Sequence, residues 1–377
     1  MKLVFDCFKQ VKGVGKSIGI YNLTLNTIRN MAAEKARSNN SRVRESELVV
    51  IGNPYNMQDF AIDGVEFISI TDLDPRKKLH ALIWELFRVS TVCKEIGADR
   101  VVFPRGYTAL THPVKDTAII NDMIPFYYYE HYPEFFNKLE NAYIMRRLLQ
   151  SAKTSDHVVT ISEASKKIIL DYVKIAEDKI TVLYPGCNRI EKITGNVLSD
   201  DYAQSEDYII AVTSSFPHKN AKGIIDCYNA YYHKSSHPLK LVVIGLENLD
   251  GFKVDVEVSS HIRCFKYIPD NKDLHMLIAG ARMFLFLSVA EGFGFPPLEA
   301  MQLSVPVVCS DRMSLPEVVG DSAITVNPDD TDAVALKLVE LETNDSLRAE
   351  LVSLGEKNVE RFSWETLAPK YWEVYLG

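Results

Sequence analysis

The sequence contains no apolar run near the roughly 20 residues that a membrane-spanning helix needs. It also has no basic tract and no aromatic RNA-binding motif, and its formal net charge of −8 argues against a nucleic-acid partner. Internal repeats and low-complexity segments are missing too. An apolar fraction of 47% and a charged fraction of 24% are those of an ordinary soluble globular protein.

Paired cysteines are also missing, since the six cysteines have no paired spacing and several lie in apolar runs. This pattern favours buried, reduced thiols in a cytosolic compartment over disulfides or a metal site. The apolar run within residues 1–6 is too short for a signal peptide and predicts a strand. Asp72 and Asp74 lie in a turn-rich segment that predicts a helix start rather than a metal site. We therefore expect a cytoplasmic protein without a metal centre.

The length of 377 residues exceeds one comfortable core and predicts two domains. Apolar strand patterns alternate with helical patterns in both halves, which predicts an α/β protein with parallel sheets covered on both faces. We place the first domain at residues 1–190, a polar linker at 191–206 and the second domain at 207–362.

A glycine- and proline-rich turn lies between the apolar strand pattern of residues 283–288 and a helical pattern that ends near Pro306. It reads EGFGFPPLEAM over residues 291–301. The glycines allow close approach of the backbone to a ligand, and the prolines suit a first helical turn, whose free amides and positive dipole favour an anion. The turn therefore predicts a phosphate site.

Two carboxylates, Glu291 and Glu299, bracket this turn with seven residues between them. They would contact different parts of an extended ligand, and fixed carboxylates are good acceptors for sugar hydroxyls. A diphosphate held by amides, with a sugar hydroxyl at one end and a ribose hydroxyl at the other, describes a nucleotide sugar. The alternative interpretation is a Gly-Pro turn with two surface glutamates.

The whole pattern resembles the E-x7-E signature of retaining GT-B glycosyltransferases of family 4, closest to bacterial polysaccharide mannosyl- and rhamnosyltransferases. The resemblance implies a GT-B fold, with two Rossmann-like doubly wound domains and a cleft between them. It also implies metal-independent transfer of a hexosyl unit from a nucleotide-diphosphate sugar, without a cofactor. We expect GDP-mannose as the donor, with UDP-hexoses left open, and a glycan or lipid-linked glycan of a bacterial surface polysaccharide as the acceptor.

The loop of residues 214–220 is similar to the family's P-R-K-N motif, with Lys219 and Asn220 matching and His218 in place of the arginine. A lysine in such a loop can neutralise charge that develops on a leaving diphosphate. The resemblance implies that Lys219 and the turn amides hold the diphosphate, Glu291 the donor-sugar hydroxyls and Glu299 the ribose. The remaining donor-binding candidates in this half are Ser214, His218, Asn220, Gly292, Phe293, Gly294, Phe295, Pro297 and Leu298.

A glycine-rich turn also follows the first predicted strand, with Gly13, Gly15 and Gly19. A P-loop is not expected, because Gln10 stands where that motif needs a glycine, and the spacing is imperfect for a dinucleotide fingerprint. The turn matches the first loop of family-4 enzymes, which implies that Gly13 and Gly15 contact the donor phosphates.

The predicted strand of residues 117–125 ends in polar residues and resembles the family strand that ends in His-Asp. Asp122 matches and is implied to be catalytic, whereas Asn121 replaces the histidine and can bond a donor hydroxyl but cannot carry a proton. The aromatic residues that follow predict either a sugar-stacking acceptor wall with Tyr128, Tyr129 and His131, or a loop that packs on its own domain.

The family also implies that residues 363–377 pack back on the first domain. The predicted helix of residues 77–95 favours core packing with a solvated charged face, and peripheral contact with the inner face of the membrane through the first domain stays open. Three alternative functions remain: a GT-B nucleotide-sugar epimerase, a non-catalytic nucleotide-sugar-binding subunit, and a membrane-coat or scaffold protein.

Overall fold

The structure is a computed structural model that describes residues 1–13, 18–112, 114–190 and 207–377. The predicted linker, residues 191–206, and Gly15 lie outside the described residues. The chain divides into two compact units, one formed by Met1–Asn188 with Phe362–Gly377 and the other by Arg189–Arg361.

The first unit contains a parallel sheet of seven strands among the described residues, in the order β3-β2-β1-β4-β5-β6-β7. Its strands are β1 (Lys2–Asp6), β2 (Glu47–Gly52), β3 (Glu66–Ser69), β4 (Arg100–Phe103), β5 (Lys115–Ile119), β6 (His157–Thr160) and β7 (Ile180–Val182). The helices around it are α1 (Ile18–Arg37), α2 (Ser41–Arg44), α3 (Met57–Phe60), α4 (Lys78–Ile83), α5 (Val89–Glu95), α6 (Ile124–His131), α7 (Lys138–Thr154) and α8 (Glu163–Tyr172). A π-helical turn, Trp84–Arg88, joins α4 to α5, and a 3₁₀ turn, Glu177–Lys179, precedes β7.

The second unit has a six-stranded parallel sheet in the part of the chain that is described, in the order β10-β9-β8-β11-β12-β13. Its strands are β8 (Tyr208–Val212), β9 (Lys240–Ile244), β10 (Ile262–Phe265), β11 (Met283–Phe286), β12 (Val307–Ser310) and β13 (Ala323–Val326). Its helices are α9 (Ala221–Lys234), α10 (Val256–Ser259), α11 (Asn271–Ala279), α12 (Phe295–Gln302), α13 (Leu315–Val319), α14 (Thr331–Thr343) and α15 (Asp345–Val359). Short 3₁₀ turns occur at Pro217–Lys219, Gly320–Ser322 and Glu360–Phe362.

The inner strands are continuous apolar runs because both faces of each sheet are covered by helices. All four residues of β11 are buried, and Val49, Val50 and Ile51 of β2 have no exposed surface. These strands fix the sheets rigidly, so the loops at their carboxyl ends start from defined positions.

Each sheet has a switch point, where the chain connections leave two neighbouring strands in opposite directions. In the first sheet these neighbours are β1 and β4, and in the second they are β8 and β11. In open α/β sheets, ligands bind in the crevice that forms at the carboxyl ends of such strands. Each of the two switch points is therefore a candidate ligand-binding position.

Four local predictions need correction. The strand predicted over residues 117–125 ends at Ile119, and the aromatic stretch after it is helix α6 rather than a loop, with Pro125 in its first turn. Helix α7 was not expected. The helix predicted over residues 77–95 exposes an apolar row, Leu79, Ile83 and Phe87, and not only charged side chains.

The last helix, α16 (Trp364–Leu376), packs on the first unit. The Trp372 indole N–H donates to the Met31 carbonyl at 2.8 Å, and the Tyr371 hydroxyl donates to the Tyr184 carbonyl at 3.2 Å. Tyr375 is fully buried. The aromatic residues of the tail thus complete the core of this unit.

Within the described ranges, no helix combines the length and the apolar character needed to cross a bilayer. The same ranges contain no group of three or more His, Cys, Asp or Glu side chains that could hold a metal ion. Four of the six cysteines, Cys7, Cys93, Cys227 and Cys309, are buried and form no disulfide.

Candidate functional site

The switch point of the second sheet brings Lys219 and Glu291 together. Lys219 lies in the loop after β8 and Glu291 in the loop after the neighbouring strand β11, so both loops leave the same edge of the sheet. Lys219 Nζ donates a hydrogen bond to Glu291 Oε1 at 2.6 Å. Their side chains are 27% and 11% exposed, so this is a half-buried ion pair that solvent can still reach.

The loop after β8 is held on both sides of Lys219. The Thr213 hydroxyl donates to the Lys219 carbonyl at 3.0 Å. Asn220 has a left-handed backbone with φ of 54°, which asparagine tolerates better than most residues. Its side-chain amide donates to the Leu287 carbonyl at 3.1 Å, and its Oδ1 accepts from the Gly223 N–H at 3.1 Å. Lys219 is therefore presented by a rigid backbone tied to β11.

The loop after β11 is tied in return to the loop after β8. The Ser288 hydroxyl and the Val289 N–H both donate to the His218 carbonyl, at 2.9 and 2.8 Å. These crossed contacts fix the distance between the two loops. Sequence reasoning missed Thr213 and Ser288, because a serine or threonine after a strand carries no local signal of such a long-range contact.

His218 cannot supply a positive charge beside Lys219 near neutral pH. Burial, together with the charge of Lys219, lowers the pKa of the His218 imidazole to about 4. The side chain is only 8% exposed. The substitution of histidine for the family's arginine thus removes a charge and leaves Lys219 as the cation of this loop.

The bend of residues 291–294 is stabilised from a third element, the start of α13. The buried Ser314 hydroxyl lies 2.9 Å from the Glu291 carbonyl and 2.7 Å from the Phe293 carbonyl, and it donates to one of them at a time. Gly294 has φ of 120°, and a Cβ there would lie 2.6 Å from Leu315 Cδ2. Only glycine fits this position, for both backbone and steric reasons.

The first turn of α12 offers fewer amides to an anion than the sequence analysis assumed. Pro296 and Pro297 lie in that turn and have no N–H group. The first four N–H positions of a helix have no partner within the helix. Two of these positions in α12 are prolines, so the N–H groups of Gly294 and Phe295 are the two that remain. An anion here would depend on these two amides and on Lys219 rather than on a full helix N-terminus.

Glu299, on α12, differs sharply from Glu291. Its carboxylate makes no hydrogen bond or ion pair with any residue that the structure describes, and burial raises its pKa. An unpaired, half-buried carboxylate is costly unless a ligand completes it. Pro297 and Leu298, which lie between Glu291 and Glu299 in the sequence, have buried side chains, so only their backbone could contact a ligand.

Four other donor-binding candidates of this unit have structural roles of their own. Phe293 is buried and packs edge-on against the half-buried Phe295, with ring centroids 5.1 Å apart. Ser214 Oγ accepts from the Phe216 N–H at 3.3 Å, which shapes the start of its loop. Gly292 is buried within the bend.

The polar candidates of the first unit follow β5. Asn121 is 8% exposed, its Nδ2 lies 3.5 Å from the Pro104 carbonyl, and its Oδ1 has no hydrogen-bond partner. Asp122 Oδ1 accepts from the Ile124 N–H at 3.0 Å and so shapes the start of α6. Gly13 is exposed with φ of 76°.

The acceptor-wall prediction is wrong for Tyr128. This side chain is 1% exposed and packs against the rings of Phe135 and Phe136, with centroids 5.1 and 4.7 Å away. Successive residues of a helix point about 100° apart, so one of three adjacent tyrosines enters the core. Tyr129 is 60% exposed and His131 is exposed and stacked on the Tyr127 ring at 4.2 Å, so these two remain accessible.

Matches to two family models identify the family of this chain. The family model "Glycosyltransferase Family 4" matches residues 41–189, and the model "Glycosyl transferases group 1" matches residues 201–358. The chain belongs to glycosyltransferase family 4. It is thus an enzyme that transfers a glycosyl unit, and its two doubly wound parallel sheets form the GT-B fold.

Relatives of this glycosyltransferase include two curated proteins. The Escherichia coli "O-antigen chain mannosyltransferase B" is 30% identical over 256 residues, which cover 64% of this chain and 66% of the relative. The Salmonella typhimurium "O-antigen chain mannosyltransferase RfbU" is 28% identical over 270 residues, 69% of this chain and 71% of the relative. The matches thus span about two thirds of each relative. A crystal structure of Anabaena Alr3699/HepE in complex with UDP has a TM-score of 0.65 at 15% identity, over 100% of this chain and 99% of that one.

The glycosyltransferase also has a buried charged cluster that the sequence analysis missed, at the switch point of its first sheet. Glu85 is 3% exposed and binds Lys9, Arg147 and the Tyr143 hydroxyl. Burial opposes its ionisation, but Lys9 and Arg147 hold its pKa below the usual value. Beside it, burial raises the pKa of Asp6 to about 6, although the Trp84 indole N–H donates to Asp6 Oδ1 at 2.9 Å. A glutamate inside the apolar run of residues 81–87 was the available signal.

Proposed function

We propose that the protein is a retaining, metal-independent hexosyltransferase that uses a nucleotide-diphosphate sugar, with GDP-mannose as the preferred donor, and needs no cofactor. Its acceptor is a glycan or lipid-linked glycan of a bacterial surface polysaccharide. The names of the two O-antigen mannosyltransferase relatives support the sugar and the pathway class. The UDP in the HepE structure keeps UDP-hexoses as the second choice of donor. The observation that carries the proposal is the contact between Lys219 and Glu291 at the switch point.

Donor binding follows from the charges of this site. In the free protein Lys219 is neutralised by one carboxylate, Glu291. A diphosphate carries more negative charge than one carboxylate and presents several acceptor oxygens, so it competes for Lys219 and for the Gly294 and Phe295 amides. Glu291 is then free to accept hydrogen bonds from donor-sugar hydroxyls, and the unpaired Glu299 accepts them from the ribose.

Transfer breaks the bond between the sugar C1 and the diphosphate oxygen and forms a bond between C1 and the acceptor hydroxyl oxygen. The acceptor attacks on the face from which the diphosphate leaves, so the anomeric configuration is retained, and a diphosphate oxygen takes the hydroxyl proton. Lys219 stabilises the charge that develops on the leaving group, which is the work a metal ion does elsewhere. Asn121 has no group that can take this proton. Asp122, the next residue in the sequence, is the carboxylate that we assign to the catalytic site of the first unit.

The test is a transfer assay with GDP-mannose, UDP-glucose, UDP-galactose and TDP-rhamnose, each with a lipid-linked glycan acceptor and with or without EDTA. We expect one of the three hexose donors to yield a product whose mass has increased by one hexosyl residue, whose new linkage keeps the donor configuration by NMR, and whose yield is insensitive to EDTA. Lys219→Met is the matched inactive control. Conversion of the donor to an epimer without acceptor would favour the epimerase, and donor binding without transfer to any acceptor would favour the non-catalytic subunit.

The remaining parts of the proposal concern acceptor binding and membrane contact, and both use exposed side chains of the first unit. Tyr129 and His131 contact the acceptor glycan, and the protein acts at the cytoplasmic side of the membrane. The apolar row Leu79, Ile83 and Phe87 is 67%, 39% and 57% exposed, which supports peripheral membrane contact. Sedimentation with anionic vesicles should decrease when Leu79 and Phe87 are both replaced by serine; unchanged sedimentation would refute this contact.

A further inference from the structure

We propose that Arg105 forms an anion subsite at the switch point of the first sheet, and that this subsite binds a phosphate group of the acceptor. The proposal rests on the proposed function, since it assigns part of the acceptor of that reaction. Arg105 lies in the loop after β4, and Lys9 and Gln10 lie in the loop after β1. These strands are neighbours in the first sheet, as β8 and β11 are in the second. Each unit thus has a cation where open α/β sheets bind ligands.

Arg105 lacks an acidic partner. Its guanidinium is half-buried and donates one hydrogen bond, to the Lys9 carbonyl at 3.2 Å, while its Nε is buried without a partner. No carboxylate of the described residues lies within ion-pair distance of it. Partly buried arginines are normally paired, and the planar guanidinium matches the oxygens of a phosphate.

The neighbouring carboxylates are already engaged, so they do not neutralise Arg105. Glu85 binds both Lys9 and Arg147, and Asp6 accepts from the Trp84 indole. Among the described cations of the loops after β1 and β4, Lys9 pairs with Glu85 and Lys12 with Asp59, so Arg105 is left to meet an external anion.

Two buried polar atoms beside Arg105 are also unsatisfied. Gln10 is 2% exposed and follows the residue whose carbonyl Arg105 binds, and Asn121 contacts the carbonyl of Pro104, the residue before Arg105. Gln10 Oε1 and Asn121 Oδ1 have no hydrogen-bond partner among the described residues. Unsatisfied buried polar atoms are uncommon in native proteins, so these two oxygens indicate that a ligand completes the site. Both oxygens accept hydrogen bonds and therefore cannot bind the phosphate itself; we assign them to hydroxyl donors of the acceptor beside the phosphate that Arg105 holds.

The acceptor is the better source of this phosphate than the donor. The donor diphosphate has its own cation, Lys219, and its own amides in the second unit. A lipid-linked glycan carries a phosphate or diphosphate, whereas a free glycan need not. The subsite therefore favours an acceptor that presents a phosphate ester.

The experiment is a calorimetric titration of inorganic pyrophosphate into the full-length protein saturated with the nucleoside diphosphate that raises its Tm most. We compare wild type with Arg105→Gln, Arg105→Lys and Arg44→Gln. Arg44 is an exposed arginine on α2, before β2, and therefore lies at the opposite edge of the same sheet. We expect saturable binding by wild type, a loss of about tenfold to a hundredfold in Arg105→Gln, a smaller loss in Arg105→Lys, and no change in the charge-matched Arg44→Gln.

Three results would overturn the inference. The first is the absence of pyrophosphate binding by the saturated wild type, and the second is equal binding by both glutamine variants. The third is weaker nucleoside-diphosphate binding by Arg105→Gln, which would assign Arg105 to the donor. If Arg105→Gln does not fold, Arg105→Lys decides, since loss of the planar fork alone should weaken binding. If no nucleoside diphosphate binds, the donor proposal fails, and the titration is run on Lys219→Gln, which lacks the competing cation.

Discussion

Replacing Lys219 by methionine will leave Glu291 as an unpaired carboxylate that is only 11% exposed. A hydrogen bond between charged groups contributes about 1.5–3 kcal/mol to stability. Because Lys219 is 27% exposed, solvent screening reduces this contribution, and we expect a coupling free energy of about 1–2 kcal/mol between the two side chains. Replacing both Lys219 and Glu291 also removes the unpaired carboxylate. The double variant will therefore lose less free energy of unfolding than the sum of the two single losses.

The assay is a double-mutant cycle. The free energy of unfolding in urea is measured for wild type, Lys219→Met, Glu291→Gln and the double variant, and the turnover of each is measured with donor and acceptor at saturation. Loss of one fixed group that stabilises developing charge lowers kcat by about 10²–10³. The double variant should thus regain stability without regaining turnover.

Either of two results would refute this reasoning. Additive effects on unfolding would mean that the 2.6 Å contact between Lys219 and Glu291 contributes nothing to the folded state. Turnover of Lys219→Met at the wild-type rate would mean that the contact is not part of the catalytic site.

Three further predictions concern single residues. Gly294→Ala should lower the free energy of unfolding by roughly 1–3 kcal/mol in urea, because its φ is 120° and the new Cβ would lie 2.6 Å from Leu315; an unaffected midpoint would contradict this steric reason. Glu299→Gln should weaken donor binding about tenfold in calorimetry while leaving stability the same or higher, because its carboxylate has no partner and a raised pKa; a clear loss of stability would point to a structural role instead. The Asp6 pKa is raised from 3.8 to about 6, so the folded state binds the extra proton and stability falls as pH rises from 4 to 6; Asp6→Asn should remove up to about 3 kcal/mol of this change, and an unchanged pH profile of unfolding would show that Asp6 does not titrate as described.

The sequence predicted the second unit well because its signals are local. The apolar run before Glu291 and the glycine and proline residues after it specify a strand, a turn and a helix over one short segment. The nearness of Lys219 and Glu291 follows from strand order, since each residue comes shortly after one of two neighbouring parallel strands. The scarcity of amides at α12 was also readable, because Pro296 and Pro297 are visible in the sequence.

The first unit was less predictable because its site depends on long-range contacts. Glu85 meets Lys9 and Arg147 from 76 and 62 residues away along the chain, and no short motif records that meeting. The burial of Tyr128 needs the phase of α6, which three adjacent tyrosines do not reveal. The lack of an acidic partner for Arg105 likewise depends on long-range contacts, because Glu85 and Asp6 bind Lys9, Arg147 and Trp84 instead.

The placement of the donor diphosphate beside Lys219 is tested most directly by comparing nucleoside diphosphates with the corresponding monophosphates. Calorimetry would measure the Kd of GDP, GMP, UDP and UMP for wild type and for Lys219→Met. We expect wild type to bind one diphosphate at least about tenfold more tightly than its monophosphate, and Lys219→Met to bind the two almost equally. A diphosphate preference that survives intact in Lys219→Met would contradict this placement.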